Sequence, residues 1–139
     1  MPPSDCATQC VWYLDSSVAL RILLGHSEGA VEWYEQALEA SQRVVSSSLI
    51  GLEVARVLRR ESIDVELGQE FADELTLLRV DDSLLKEAAG IEPHVRSLDA
   101  VHLASAQRLG IETVTVVTHD KNMAKAAEEL GFVVLDPVV

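Results

Sequence analysis

Val11-Trp12-Tyr13-Leu14-Asp15 is an apolar run closed by an acid. The chain repeats the arrangement at Val114-Thr115-Val116-Val117-Thr118, where Asp120 follows after one intervening residue, His119. Short runs of β-branched and aromatic residues bounded by polar ones read as strands. Between these two runs, strand-like and helix-like patterns alternate, which is the signature of an α/β domain built on a parallel sheet. Ser16 and Ser17 offer an N-cap to a helix carrying Val18, Leu20, Ile22, Leu23 and Leu24, which Gly25 ends. A second helix is predicted from Glu28 to Ala40, burying Val31, Tyr34 and Leu38 at three- and four-residue spacing. Val44-Val45-Ser46 reads as the second strand, with Ser47 or Ser48 capping the helix that holds Glu53. The pattern then predicts a long helix from Val65 to Leu77, a strand over Leu78 to Val80, and a helix from Ser83 to Ala89. Gly90 to Val95, with Pro93 inside it, interrupts. Ser97 opens the helix of Asp99, Lys121 to Leu130 forms another, and Phe132 to Leu135 is the last strand.

With 139 residues and 48% hydrophobic content, the chain is long enough for one well-buried core. The expected organisation is a short tail over residues 1–10 and a single domain over residues 11–139. Asp and Glu number 23 against 11 Lys and Arg, a net charge of -12, so the overall field repels nucleic acid. Any binding to it must use local cations or bound metal. Cys6 and Cys10 lack the further Cys/His pair of a structural zinc site, and free thiols in a reducing cytoplasm are the expectation. Met1 to Cys10 carry no Lys or Arg and no long apolar core, unlike a secretory signal. No apolar run approaches the ~20 residues of a membrane span.

Four acids, Asp15, Glu53, Asp99 and Asp120, fall at predicted strand ends or helix starts. Each has an ordinary explanation: Asp15 and Asp120 as helix caps, Glu53 in a salt bridge with Arg56 on its own helix, Asp99 as a complement to a helix dipole. Together they suggest a shared crevice at the carboxyl ends of parallel strands, where open α/β sheets place their sites. Crowded carboxylates favour protonation unless a cation neutralises them, and hard oxygen donors suit Mg²⁺ or Mn²⁺. That combination points to metal-assisted phosphoryl chemistry.

Leu14-Asp15-Ser16-Ser17, Leu49-Ile50-Gly51-Leu52-Glu53-Val54, Ser97-Leu98-Asp99-Ala100-Val101-His102-Leu103-Ala104-Ser105-Ala106 and Val117-Thr118-His119-Asp120 resemble, in order and spacing, the motifs of PIN-domain ribonucleases. The likeness is to the VapC-type toxins of bacterial toxin–antitoxin pairs, and it covers almost everything from Val11 to Leu135. It implies a five-stranded parallel sheet of order 3-2-1-4-5 with helices on both faces. It also implies an acidic quartet, Asp15, Glu53, Asp99 and Asp120, serving RNA phosphodiester hydrolysis, with Asp15, Asp99 and Asp120 as ligands of Mg²⁺ or Mn²⁺. Glu53 would bind through water or orient the attacking one. Arg56 and Arg60, on the side of the helix that carries Glu53, are the candidates for RNA contact, with Arg59 and Arg96 behind them; a solvated basic face is the alternative. The implied partners are RNA, a small cognate antitoxin and a second copy of the chain, and the implied location is the cytoplasm.

Two departures qualify the likeness. Some PIN proteins carry a further acid two residues after the fourth one; here Asn122 stands there, which points to one directly held ion. His119 reads as a solvated loop residue, and His102, three residues after Asp99, reads as a packing or hydrogen-bonding residue. A non-cleaving PIN-fold regulatory or interaction module is the competing function, and its signature would be a missing acid. A phospho-receiver would need paired acids after the first strand, whereas Asp81-Asp82 follow the third. A haloacid-dehalogenase-like phosphatase would need an acid where Ser17 stands.

Overall fold

The computed structural model describes residues 10–139. In chain order the elements are β1 (Val11–Leu14), α1 (Ser16–Leu24), α2 (Glu28–Glu39), β2 (Arg43–Ser47), α3 (Leu49–Arg60), α4 (Glu66–Asp73), β3 (Thr76–Leu78), α5 (Asp82–Ala89), α6 (Ser97–Leu109), β4 (Val114–Val117), α7 (Lys121–Glu129) and β5 (Val133–Leu135). All pairings are parallel, in the order β3-β2-β1-β4-β5. The expected five-stranded sheet with helices on both faces is therefore the observed one.

β1 is central, and its side chains alternate between the two faces as a pleated strand requires. Trp12 and Leu14 join a core with Val44 of β2 and with Val18, Tyr34, Ile50, Leu58 and Phe71, contributed by α1 to α4. Tyr13 points the other way, into a core with Leu103 of α6, Val116 of β4, Met123 of α7 and Phe132 just ahead of β5. Because both faces are covered, the strand reads as a continuous apolar run. α3 and α4 approach closely at Gly68, where an added Cβ would stand 2.9 Å from Val54 Cγ1 and 3.0 Å from Leu58 Cδ1. Gly25 ends α1 in the left-handed region at φ 68°, as the sequence predicts.

Several boundaries differ from the sequence reading. The helix expected from Val65 to Leu77 stops at Asp73, and the third strand is Thr76–Leu78 instead of Leu78 to Val80. Leu67, Phe71, Leu75 and Leu78 continue the helical spacing, but pairing with β2, with Val45 opposite Thr76 and Ser47 opposite Leu78, claims the segment for the sheet. Neither Ser16 nor Ser17 caps α1; Asp15 does, since its carboxylate is the stronger acceptor and stands one residue ahead. Leu38, expected in the core, is 46% exposed on α2. Cys10, assigned above to the tail, is buried in the core, and it is disulfide-bonded instead of free. Cys6 lies outside the described residues, as does the rest of the expected tail. Among the described residues, no helix is long and apolar enough to cross a membrane.

Candidate active site

In this strand order β1 and β4 are neighbours, with Leu14 opposite Val117, so the turns that follow them lie side by side at the carboxyl edge. Asp15 closes the first turn. Its backbone N–H donates to Val117 O at 3.1 Å, and its Oδ1 accepts from the N–H groups of Ser17 and Val18 at 3.1 and 3.3 Å, capping α1. The Ser17 hydroxyl donates to the same Oδ1 at 2.6 Å, and the Thr118 hydroxyl to Oδ2 at 2.5 Å. Those two hydroxyls also bind the neighbouring turn. Ser17 Oγ accepts from the N–H of His119 at 3.0 Å, and Thr118 Oγ1 from the N–H of Asp120 at 3.1 Å. Asp120 in turn caps α7, its Oδ1 accepting from the N–H groups of Asn122 and Met123 at 2.8 and 3.1 Å.

Glu53 enters from α3 and pairs with a histidine of α6, not with Arg56. His102 is 1% exposed, and its Nε2 lies 2.6 Å from Glu53 Oε1; the Ser16 hydroxyl donates to Glu53 Oε2 at 3.3 Å. The other ring nitrogen, Nδ1, is 2.7 Å from the Tyr13 hydroxyl. His102 thus has the hydrogen-bonding role that the sequence suggests. His119 is less solvated than expected, because Asp136 beyond β5 folds back to within 2.9 Å of its Nδ1.

Electrostatics join the four acids. Partial burial pushes the Asp99 carboxyl above its ordinary range, and the charges of Asp120, Asp15 and, least, Glu53 push it further; the side of His102 pulls the other way. Burial also raises the Asp15 carboxyl, against the hydrogen bonds from Ser17 and Thr118 and the nearby His102. Among the described residues, no Lys, Arg or His forms a salt bridge with Asp15, Asp99 or Asp120. Nor do any three His, Cys, Asp or Glu side chains stand close enough together to hold a metal ion as they are arranged. In this arrangement both Asp15 oxygens are engaged by protein donors. The donor set is nevertheless of the type that hard divalent cations take.

Among the described residues, none of Arg56, Arg59, Arg60 and Arg96 forms a salt bridge with the four acids. Arg56 and Arg60 are exposed on α3, and Arg60, two turns beyond Glu53, has its Nε 3.5 Å from Glu61. Arg59 and Arg96 are exposed too. Asp81, weighed above as half of an acidic pair, caps α5 and lies 3.7 Å from Arg108. Sequence reasoning missed Ser16, Ser17, Thr118 and Tyr13 as site members. The hydroxyls follow or precede the acids directly, in Asp15-Ser16-Ser17 and Thr118-His119-Asp120, but that adjacency is also what any helix cap looks like.

The sheet is open, parallel and of order 3-2-1-4-5; the PIN-domain family model matches residues 12–129, and the chain belongs to the PIN-domain family. Ribonuclease VapC46 of Mycobacterium tuberculosis is 37% identical over 127 residues, which cover 90% of this chain and 96% of that protein. Ribonuclease VapC47 of the same species is 28% identical over 130 residues, with the same coverage. Among solved structures, a chain in the crystal structure of VapBC2 from Rickettsia felis bound to a DNA fragment from their promoter superposes with a TM-score of 0.64. That match covers 90% of this chain and 97% of the other at 13% identity, which speaks for the fold alone.

Proposed function

We propose that this protein is a metal-dependent endoribonuclease and the toxin of a VapBC-type toxin–antitoxin pair, acting in the cytoplasm. The observation that carries the reading is the electrostatic coupling of Asp15, Asp99, Asp120 and Glu53, with the three aspartates in no salt bridge among the described residues. Relatives named ribonucleases across nearly the whole chain support the substrate class.

Asp15, Asp99 and Asp120 would hold Mg²⁺ or Mn²⁺, whose contribution when bound is to acidify water, polarise a phosphoryl oxygen and offset the charge of in-line displacement. The rest belongs to the chain. The hydroxyls of Ser17 and Thr118 fix the Asp15 carboxylate and the Asp120 turn in one frame, so the two acids cannot drift apart independently. Glu53, held by His102 and Ser16, accepts a hydrogen bond from the attacking water. Arg56 and Arg60 meet the RNA backbone beyond the acids, as local cations on a protein whose net charge opposes it.

The partner reading draws on a groove of about 680 Å³ with Leu20, Leu24, Val57 and Ile63 in its walls and Arg21 and Arg60 among its polar residues. An antitoxin segment would bury its apolar side there and reach the acids with a basic side chain, since a guanidinium pairs with carboxylates bidentately. A homodimer completes the assembly. Sequencing RNA ends after incubation with the purified protein, with and without chelator, tests the enzyme. Discrete cuts that vanish with EDTA and return with Mg²⁺ or Mn²⁺ are expected, and cleavage indifferent to chelation overturns the metal mechanism. Affinity capture from the source cell followed by light scattering tests the assembly, and a monomer that retains no small partner overturns that part.

A further inference from the structure

We propose that His102 is the positioning residue for Glu53, and that Tyr13 holds the imidazole in the orientation this requires. The inference rests on the nuclease reading for its consequence, but its geometry stands apart from it. His102 is enclosed, at 1% exposure, in the middle of α6, and Glu53 sits on a different helix, so nothing in the local sequence dictates that they meet. In the tautomer proposed, Nε2 donates across the 2.6 Å contact to Glu53 Oε1 and occupies one of that oxygen's lone pairs. The other oxygen receives only the longer 3.3 Å bond from Ser16 and remains the oxygen through which Glu53 can act.

A histidine orients a carboxylate only if its own ring cannot turn, and here the opposite nitrogen is tied to β1. The Tyr13 hydroxyl, 2.7 Å from Nδ1, belongs to a fully buried side chain of the central strand. Its oxygen is in turn surrounded by the hydroxyls of Ser46, Ser47 and Ser105. Ser46 donates to Leu14 O at 2.7 Å and Ser105 to Val101 O at 2.8 Å, which anchors two of those hydroxyls to backbone carbonyls. The line from β1 through Tyr13 and His102 to Glu53 therefore runs from a rigid strand to an acid carried in the interior of α3. The positioning role requires hydrogen on Nε2, whether the ring is neutral or charged.

Three measurements on the full chain decide it. In the metal-free wild type, the ¹H–¹⁵N spectrum of His102 should show a proton on Nε2; an unprotonated Nε2 overturns the proposal. In a crystal structure of His102→Leu the Glu53 carboxylate should leave its wild-type orientation, and an unmoved carboxylate overturns it, whatever the activity. For RNA cleavage, His102→Leu should lower kcat roughly 10–100-fold with KM unchanged, the usual cost of losing such an orienting partner. His102→Gln, which keeps a donor, should recover most of that loss, and Tyr13→Phe should show a smaller loss of the same kind. In a Glu53→Ala background His102→Leu should cost nothing further. No loss in His102→Leu, no recovery in His102→Gln, or full additivity with Glu53→Ala overturns the proposal. A wild type that cleaves no RNA would instead refute the nuclease reading, with the spectrum and the crystal structure still deciding this one.

Discussion

The turns β1–α1 and β4–α7 are built alike and placed differently. Asp15 and Asp120 each close a strand and cap the following helix through Oδ1, accepting from the N–H groups two and three residues on. Asp15 is 4% exposed and both its oxygens are held by hydroxyls of the site, whereas Asp120 is exposed and its Oδ2 has no hydrogen bond among the described residues. One turn is a fixed post and the other an open hand. The same capping chemistry thus serves structure and function at once, and surroundings determine how much of each. A helix-cap explanation and a ligand explanation for an acid are not alternatives here: a carboxylate has two oxygens, and capping uses one.

The comparison can be broken most forcefully by charge. Asn in place of Asp15, Asp99 or Asp120 keeps the shape and removes the negative charge, so RNA cleavage should fall at least about a hundredfold in each, beyond the roughly 10–100-fold cost of losing an outer partner. Circular dichroism should show the variants folded; a fully active Asp99→Asn would refute the site.

Metal should next separate the folded from the unfolded state. Mg²⁺ or Mn²⁺ at a hundred times its dissociation constant should stabilise the wild type by about 2.7 kcal/mol, and Asp99→Asn should lose most of that gain. A thermal-shift titration with calorimetry reads this directly, and a flat response in the wild type would count against the metal.

Truncation then sharpens the contrast between the two turns. Asp120→Ala should cost about 1 kcal/mol, the value of a helix cap. Asp15→Ala should cost roughly 1–3 kcal/mol, because it also strands the Thr118 hydroxyl, offset in part by relief of a buried charge. Urea unfolding of both variants measures the gap, and equal costs would mean that burial adds nothing at Asp15.

The smallest effect concerns pH. The Asp99 carboxyl is raised by partial burial and by its acidic neighbours, so its protonated form is favoured in the folded state. The sign follows: its contribution to stability is fully present below its ordinary value of 3.8 and is lost as pH rises through the raised one. In metal-free protein the stability advantage of Asp99→Asn over wild type should therefore grow as pH rises through that window. Solvent screening of a half-exposed group keeps it to a fraction of a kcal/mol. Parallel melts of the two proteins across the window would show it, and an advantage that shrinks with rising pH would contradict the sign.

What the sequence determined by itself was local and periodic. Two apolar runs closed by acids and the alternation of helix and strand spacing are each readable within a few residues, because hydrophobic period and capping chemistry act over that range. The resemblance carried by the Leu98-Asp99-Ala100-Val101-His102-Leu103-Ala104 block added strand order and activity. Tertiary structure decided the rest. It cut the helix short at Asp73, since a strand edge on β2 offers Thr76–Leu78 hydrogen bonds that a helix period cannot foresee. It turned Glu53 from Arg56 on its own helix to His102 on another, and brought Asp136 to His119. Ser17 and Thr118 became the joint between two turns because β1 and β4 are neighbours only after the sheet has assembled. Contacts between residues 49, 17 or 102 positions apart depend on that global geometry, and no local pattern carries it.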